Sequence, residues 1–288
     1  SVAFSNFVDA KFLSDHVNKP GDLEKSERLL RKAIDIESNF VKAYASLGMS
    51  LNLMGKYNDA EEMLEDALVM AQDYGDLDSK SMVYNYMGIL YKYQKKYKRS
   101  IRQFEKAIEL QNKLDDKLFL AKINVSMAGS YSRMGDAVKA IILLKKGAGI
   151  FKEHEQYDAL GNTYAEIAQT YNMDVQYSDA IAYFKYALPL FDLQNMRYRK
   201  MMIHVIMTEI YIYLGLNDLA EKLFSSSNEL YGEFQDDLTD GRLSACKSRL
   251  NFKNKNIKGA ILCSKNAIES FQNANKPQLL IYELLLLA

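Results

Sequence analysis

A repeat of 40 residues is the feature of this 288-residue sequence that most limits how it can fold. In each repeat a small residue is followed four positions later by a bulky side chain and seven positions later by a second small residue. These sets are Ala60, Ser100, Ala140, Ala180, Ala220 and Ala260; Leu64, Phe104, Leu144, Phe184 and Phe224, with Ser264 in the sixth place; and Ala67, Ala107, Gly147, Ala187, Ser227 and Ala267. Positions four and seven apart share one face of an α-helix. The repeat therefore predicts helices that approach their neighbours closely.

A second helical pattern precedes five of these six helices, and the helix before Ala260 departs from it. Its members are Tyr44-x-x-Leu47-Gly48-x-x-Leu51, Tyr84-x-x-Met87-Gly88-x-x-Tyr91, Asn124-x-x-Met127-Ala128-x-x-Tyr131, Tyr164-x-x-Ile167-Ala168-x-x-Tyr171 and His204-x-x-Met207-Thr208-x-x-Tyr211. Turn residues such as Gly55, Gly135 and Gly215 lie between the two patterns, where glycine can take the positive φ that ends a helix. Each repeat is thus predicted to be a helical hairpin.

These residues resemble the tetratricopeptide repeat (TPR) family, whose signature joins an aromatic, a Leu-Gly pair and a Tyr to spaced small and bulky residues. The resemblance implies an all-α, right-handed α-solenoid (superhelix) of about seven TPR-like antiparallel helix pairs plus a C-terminal helix. We expect one domain over residues 1–288, and the 40-residue spacing resembles the long repeats of bacterial sensory and regulatory TPR proteins. The expected repeats are 4–37, 40–76, 78–116, 117–155, 157–195, 197–235 and 237–275, with the C-terminal helix at 277–288.

Composition excludes several classes of protein. The 37 Lys and Arg balance 37 Asp and Glu, which argues against a general nucleic-acid binder. The longest apolar stretch, 279–288, contains a glutamate and is too short to span a membrane. Two cysteines fit a reducing compartment, so we expect a cytoplasmic protein; a periplasmic or secreted one stays open if the start has been processed.

No catalytic constellation is visible in the sequence. None of the three histidines belongs to an H-E-x-x-H pair, and neither a P-loop nor a G-x-S-x-G motif occurs. His204 takes the place of a repeat tyrosine and is interpreted as a core side chain, and both cysteines as buried small hydrophobes. We therefore expect no enzymatic activity, no cofactor and no metal.

The TPR resemblance also implies a concave surface lined by the first helix of each pair. Met49, Leu53, Ile89, Tyr93 and Val125 suit an apolar side chain of a bound peptide or helix, and asparagines there could hydrogen-bond its backbone. The predicted partner-binding residues are Ala45, Met49, Asn52, Leu53, Asn85, Ile89, Lys92, Tyr93, Val125, Arg133, Gln169, Asn172 and Tyr213.

The predicted function is a non-enzymatic protein–protein interaction module that binds a peptide or helix of a partner. Two alternatives stay open: the sensory or regulatory half of a larger bacterial signalling protein (cyclase, kinase or transcription regulator), and a scaffold that self-associates through the C-terminal helix. Two basic stretches bear on the partner. Residues 92–102 are interleaved with tyrosines and are interpreted as part of the repeat, and residues 197–200 are either solvated or face an acidic partner.

Overall fold

The computed structural model describes residues 1–15, 21–73, 76–232 and 236–287, and the regular secondary structure within these ranges is entirely α-helical. The helices are α1 (Val2–Asp15), α2 (Asp22–Ile36), α3 (Val41–Leu53), α4 (Tyr57–Asp73), α5 (Leu77–Tyr93), α6 (Tyr97–Leu114), α7 (Lys117–Arg133), α8 (Ala137–Glu153), α9 (Tyr157–Met173), α10 (Tyr177–Leu193), α11 (Arg197–Tyr213), α12 (Asn217–Tyr231), α13 (Asp237–Lys253), α14 (Ile257–Asn273) and α15 (Pro277–Leu287). The predicted all-α class is confirmed.

The helices pair in chain order as seven hairpins, α1–α2 through α13–α14, and α15 packs against α14. They form two compact units, Ser1–Gln156 with four hairpins (unit 1) and Tyr157–Ala288 with three hairpins and α15 (unit 2). Within unit 1, α3 contacts α5 and α5 contacts α7; within unit 2, α11 contacts α13. The first helices of successive hairpins are therefore neighbours. The prediction that the whole chain acts as one domain stays a prediction.

Small and bulky residues of the repeat form the contacts between the helices of a hairpin. Phe104 is fully buried on α6, and its ring lies over Gly88 of α5. A β-carbon built at Gly88 would lie 2.6 Å from the Phe104 ring, so only glycine leaves room for it. Leu64 lies over Gly48 in the same way in the preceding hairpin, at 2.7 Å. The predicted packing motif is confirmed.

The helix boundaries also follow the 40-residue spacing. Asp76, Asp116 and Asp236 are N-caps, and each carboxylate accepts a hydrogen bond from the backbone N–H three residues on. The turns inside the hairpins have a positive φ at equivalent positions, which are Gly55, Lys95, Gly135, Val175, Gly215 and Lys255. Val175 adopts φ 61°, an unfavourable backbone conformation for a β-branched residue. The turn that joins two helices of a hairpin is thus conserved in shape although half of its glycines are replaced.

The C-terminal helix α15 carries a buried charge. Glu283 is only 1% exposed. Its carboxylate accepts hydrogen bonds from Arg249 Nη2 at 2.9 Å and from Ser264 Oγ at 2.7 Å. Ser264 and Ser248 hydroxyls are 2.9 Å apart, so a polar network joins α13, α14 and α15. Leu279, Ile281 and Leu284 are exposed on the same helix, whereas the side chains of residues 285–287, which the self-association hypothesis includes, lie outside the described residues.

His204 and both cysteines are core residues, as predicted. Burial, together with nearby Lys200, lowers the pKa of His204 below its ordinary value of 6.5. Its Nδ1 has no hydrogen-bond partner among the described residues. His204 is therefore held neutral in the folded protein.

Acidification is expected to destabilise the protein through His204. Because its folded pKa is lowered, the unfolded chain binds more protons below pH 6.5, so the contribution of neutral His204 is present above that pH and is lost as the pH falls through it. His204→Tyr, which restores the residue of three other repeats, should reduce this loss. Urea unfolding of both proteins followed by circular dichroism between pH 7.5 and 5 measures it. Parallel pH profiles for the two proteins would contradict the assignment.

Candidate functional site

In unit 1 the predicted partner-binding residues divide between surface and core. Tyr93 is 48% exposed and Arg133 is also exposed. Ala45 is fully buried in the core, so its side chain is not available to a ligand. Five further residues are partly exposed: Met49, Leu53, Ile89, Lys92 and Val125. The first helices of unit 1 thus present a mixed apolar and cationic surface.

Two asparagines of this surface are nearly buried and incompletely hydrogen-bonded. Asn52 on α3 is 2% exposed, and neither its Nδ2 nor its Oδ1 has a partner among the described residues. Asn85 on α5 is 5% exposed, and its Oδ1 also has none there. A buried amide without a hydrogen bond costs about 1–3 kcal/mol. Asn52 and Asn85 therefore place unsatisfied amide atoms in the interior of unit 1.

Unit 2 contains a pocket of about 520 Å³. Gln169 and Asn172, both predicted from the sequence, lie on one wall together with Met173 of α9. Tyr213 is not part of this pocket, because its ring packs on Tyr177 with centroids 4.9 Å apart. The rest of the wall comes from α10, α11 and α13: Phe191, Tyr198, Arg199, Met202, Ile203, Ile206 and Arg242. The volume lies within the usual range for ligand pockets.

Arg242 is fixed at the pocket by an ion pair. Its Nε donates to Glu209 Oε1 at 3.2 Å, and its Nη2 donates to Glu209 Oε2 at 2.7 Å. This two-bond contact fixes the plane of the guanidinium group. Since one edge of the group is occupied by Glu209, the edge formed by Nη1 and Nη2 is the part that can bind a second acceptor.

The basic residues 197–200 at the start of α11 have different surroundings. Lys200 Nζ lies 2.6 Å from Asp192 Oδ1, so its charge is partly neutralised. Arg199 lines the pocket, and no ion pair of Arg199 occurs within the described residues. Arg199 thus lines the pocket, whereas Arg197, two residues earlier, is exposed outside it.

Sequence reasoning missed most of the α11 and α13 side of the pocket. Arg242 belongs to a hairpin whose first helix departs from the repeat signature, so its position could not be transferred from the family. A signal did exist for Met202, because Met202 lies 40 residues after Asn162 and 40 before Arg242, all on first helices. Comparison of equivalent positions would have grouped Met202 with Arg242.

Neither a metal-binding cluster nor a membrane-spanning helix occurs in the part of the chain that the structure describes. Among residues 1–15, 21–73, 76–232 and 236–287, no three His, Cys, Asp or Glu side chains meet in a way that could hold a metal ion. In the same ranges, no helix combines the length and the apolar character that crossing a bilayer requires.

Helical hairpins that stack on their neighbours in chain order, as they do within each unit, define the class of helical-repeat proteins. A tetratricopeptide repeat model matches residues 39–113, and the model of the soluble NSF attachment protein (SNAP), which is TPR-like, matches residues 77–227. The second match covers just over half of the chain. The chain belongs to the tetratricopeptide repeat family, in the TPR-like form that the SNAP model describes.

Solved structures agree in fold. A signal transduction ATPase with numerous domains (STAND) from Pyrococcus horikoshii, which has a tetratricopeptide repeat sensor, superposes with a TM-score of 0.78 at 16% identity, over 98% of this chain and 44% of that one. Aspartyl phosphate phosphatase F from Bacillus subtilis gives 0.68 at 18% identity, over 91% and 74%. The apo quorum sensor NprR from B. thuringiensis gives 0.66 at 16%, over 98% and 80%. The chain spans less than half the length of the STAND protein. No curated protein matches it.

Proposed function

We propose that this chain is a non-enzymatic interaction module that binds a peptide or a helix of a partner protein on the surface of its first helices. The observation that carries the proposal is the unit 2 pocket, which combines amides and arginines with an apolar lining. Binding pockets in proteins have this composition: apolar walls with a few polar groups that orient the ligand.

Features of unit 1 support the same proposal. Exposed Tyr93 suits an apolar side chain of the partner, and partly exposed Met49 and Ile89 add apolar surface on the first helices. The groove residues named from the sequence, without the buried Ala45, Asn52 and Asn85, are therefore proposed as partner-binding residues. Similarity of fold to a quorum sensor and to a TPR sensor is compatible with this role.

The proposal is tested by selecting peptides from a displayed decapeptide library on the immobilised full chain. Replacing Met173 and Met202 together by alanine should weaken binding of the selected peptide about tenfold, because two contacts of the pocket lining are removed. Fluorescence polarisation of the labelled peptide gives the affinities. The combined Tyr93→Ala and Met49→Ala variant, measured in the same way, reports on the surface of unit 1.

The matched control replaces Val138 and Ile142, which are exposed on the second helix α8, by alanine. This variant should bind as the unchanged chain does. If the library yields no binding peptide, or if the control loses as much affinity as the pocket variant, the proposed function is wrong.

A second candidate is the sensory part of a longer signalling protein. The observation that favours it is the superposition of 98% of this chain on less than half of the STAND protein. Sequencing the gene on both sides tests it directly. A reading frame that continues into an ATPase, cyclase, kinase or DNA-binding domain supports this candidate, and stop codons that flank the present chain would remove it.

A further inference from the structure

We propose that the unit 2 pocket is a subsite for an acidic residue: it binds the side-chain carboxylate of an Asp or Glu in the partner peptide, next to an apolar side chain that fills the floor. This inference rests on the proposed function, because it assumes that the first helices bind a peptide. It adds the chemistry of the residue that the pocket selects.

The charge of the pocket favours a carboxylate. Arg199 lines the wall without an ion pair within the described residues, and Arg242 lines the same space. Glu209 neutralises Arg242, so Arg199 leaves a net positive charge at the pocket. Arginine binds carboxylates in a planar, two-bond geometry that lysine cannot match. An acidic side chain would therefore restore neutrality here.

Arg242 is oriented to make a second contact with the carboxylate of the ligand. Its Nε edge is held by Glu209, and this ion pair fixes the orientation of the guanidinium before any ligand arrives. The three N–H groups that this pair does not use are one on Nη2 and two on Nη1. A group that is already oriented loses little conformational entropy when it binds a ligand. Arg242 can thus hold Glu209 and a ligand carboxylate at the same time.

The remaining walls select a peptide rather than an isolated anion. Gln169 and Asn172 offer amide donors and acceptors that suit a backbone. Phe191, Ile203 and Ile206 supply apolar surface. A volume of about 520 Å³ is large enough for an acidic side chain and an apolar neighbour together, whereas a small inorganic anion would leave the apolar walls wet.

The test uses the full chain and a library of decapeptides that are acetylated at the start and amidated at the end, so that Asp and Glu supply the only carboxylates. The tightest peptides should contain an Asp or Glu next to an apolar residue. Changing that residue to Asn or Gln should weaken binding at least about tenfold, the size expected for a lost charge-assisted hydrogen bond. Fluorescence polarisation measures each peptide.

Three arginine variants, Arg199→Ala, Arg197→Ala and Arg242→Lys, test whether the acidic residue binds in the unit 2 pocket. Arg199→Ala should weaken binding of the acidic peptide about as much as the Asp→Asn change in the peptide does. If the two groups contact each other, both changes together should reduce the affinity little more than either change alone. Arg197→Ala removes the same charge two residues away, outside the pocket, and should change affinity less than about twofold. Arg242→Lys keeps the charge but loses the two-edged geometry and should also weaken binding.

The outcomes separate the two proposals. Peptides that bind without an acidic residue, or whose affinity is unchanged by Arg199→Ala and Arg242→Lys, overturn the acidic subsite and leave the interaction module standing. A library with no binding peptide overturns both. If Arg197→Ala and Arg199→Ala reduced the affinity for the acidic peptide equally, the effect of these arginines would be long-range electrostatic attraction. A direct contact in the pocket would then be excluded, and the subsite would be overturned.

Discussion

Replacing Phe104 by alanine is expected to lower the free energy of unfolding by about 3–5 kcal/mol, because it leaves a ring-sized cavity in a closely packed core. Phe104 is fully buried, and its ring fills the space that Gly88 leaves open. Urea unfolding followed by circular dichroism measures the loss. Hydrogen exchange should locate it mainly in α5, α6 and α7, because side chains from these helices form the apolar cluster that contains Phe104.

The control for this prediction is Phe252→Ala, which removes the same ring from an exposed position of α13. It should change the free energy of unfolding by less than about 0.5 kcal/mol. A loss below about 1 kcal/mol for Phe104→Ala would mean that neighbouring side chains collapse into the cavity, and would contradict the tight packing inferred from the Gly88 contact.

Replacing Glu283 by glutamine is expected to destabilise the end of unit 2 by about 2–3 kcal/mol, because Arg249 then lies next to a neutral group while still largely removed from water. The Arg249 side chain is 23% exposed, which moderates the penalty compared with full burial. Hydrogen exchange of the α13, α14 and α15 amides measures the local effect, and circular dichroism the global one.

Glu269→Gln on the exposed face of α14 removes the same charge from the same region and should be nearly neutral. If Arg249→Met combined with Glu283→Leu is more stable than Glu283→Gln alone, the penalty comes from the charge of Arg249 that Glu283 no longer compensates. Unchanged exchange in Glu283→Gln would instead mean that the Arg249 and Ser264 contacts contribute nothing to holding α15.

The helical hairpins could be predicted because a 40-residue pattern of small and bulky residues is local information repeated many times. Each repeat adds independent support, so the substitution of Ser264 for a bulky residue did not obscure the pattern. The capping aspartates, Asp76, Asp116 and Asp236, and the positive-φ turn positions follow the same spacing. Local chemistry and repeat packing here favour the same helix boundaries.

Burial of polar groups was harder to predict. Glu283 occupies a position equivalent to Ile203 and Leu243, which are core residues, yet a glutamate is seldom fully buried unless it is paired. Its partner Arg249 comes from another hairpin, and the sequence contains no local signal for that pairing. Asn52, predicted as a groove residue from its place on the first helix, is buried as well.

The pocket in unit 2 was predictable only in part. Gln169 and Asn172 were placed by analogy with groove positions of the family, and the structure locates both in one wall. Arg242 was not, because its role depends on the ion pair with Glu209 of a different hairpin. A pocket formed by three successive first helices is a tertiary feature, and only the spacing of equivalent positions links it to the sequence.

The evenly spaced positive-φ turns have a consequence for how such a chain can change in length. Lys95 and Gly135 have φ of 60° and 86° at equivalent points of adjacent hairpins. A cut at one such turn and a join at the next would therefore meet nearly the same backbone direction and the same kind of following helix. Loss of the 40-residue segment between these two turns would remove α6 and α7 and join α5 to α8 through a turn of the same kind, so that the chain would be shorter by one hairpin and complete hairpins would remain on both sides.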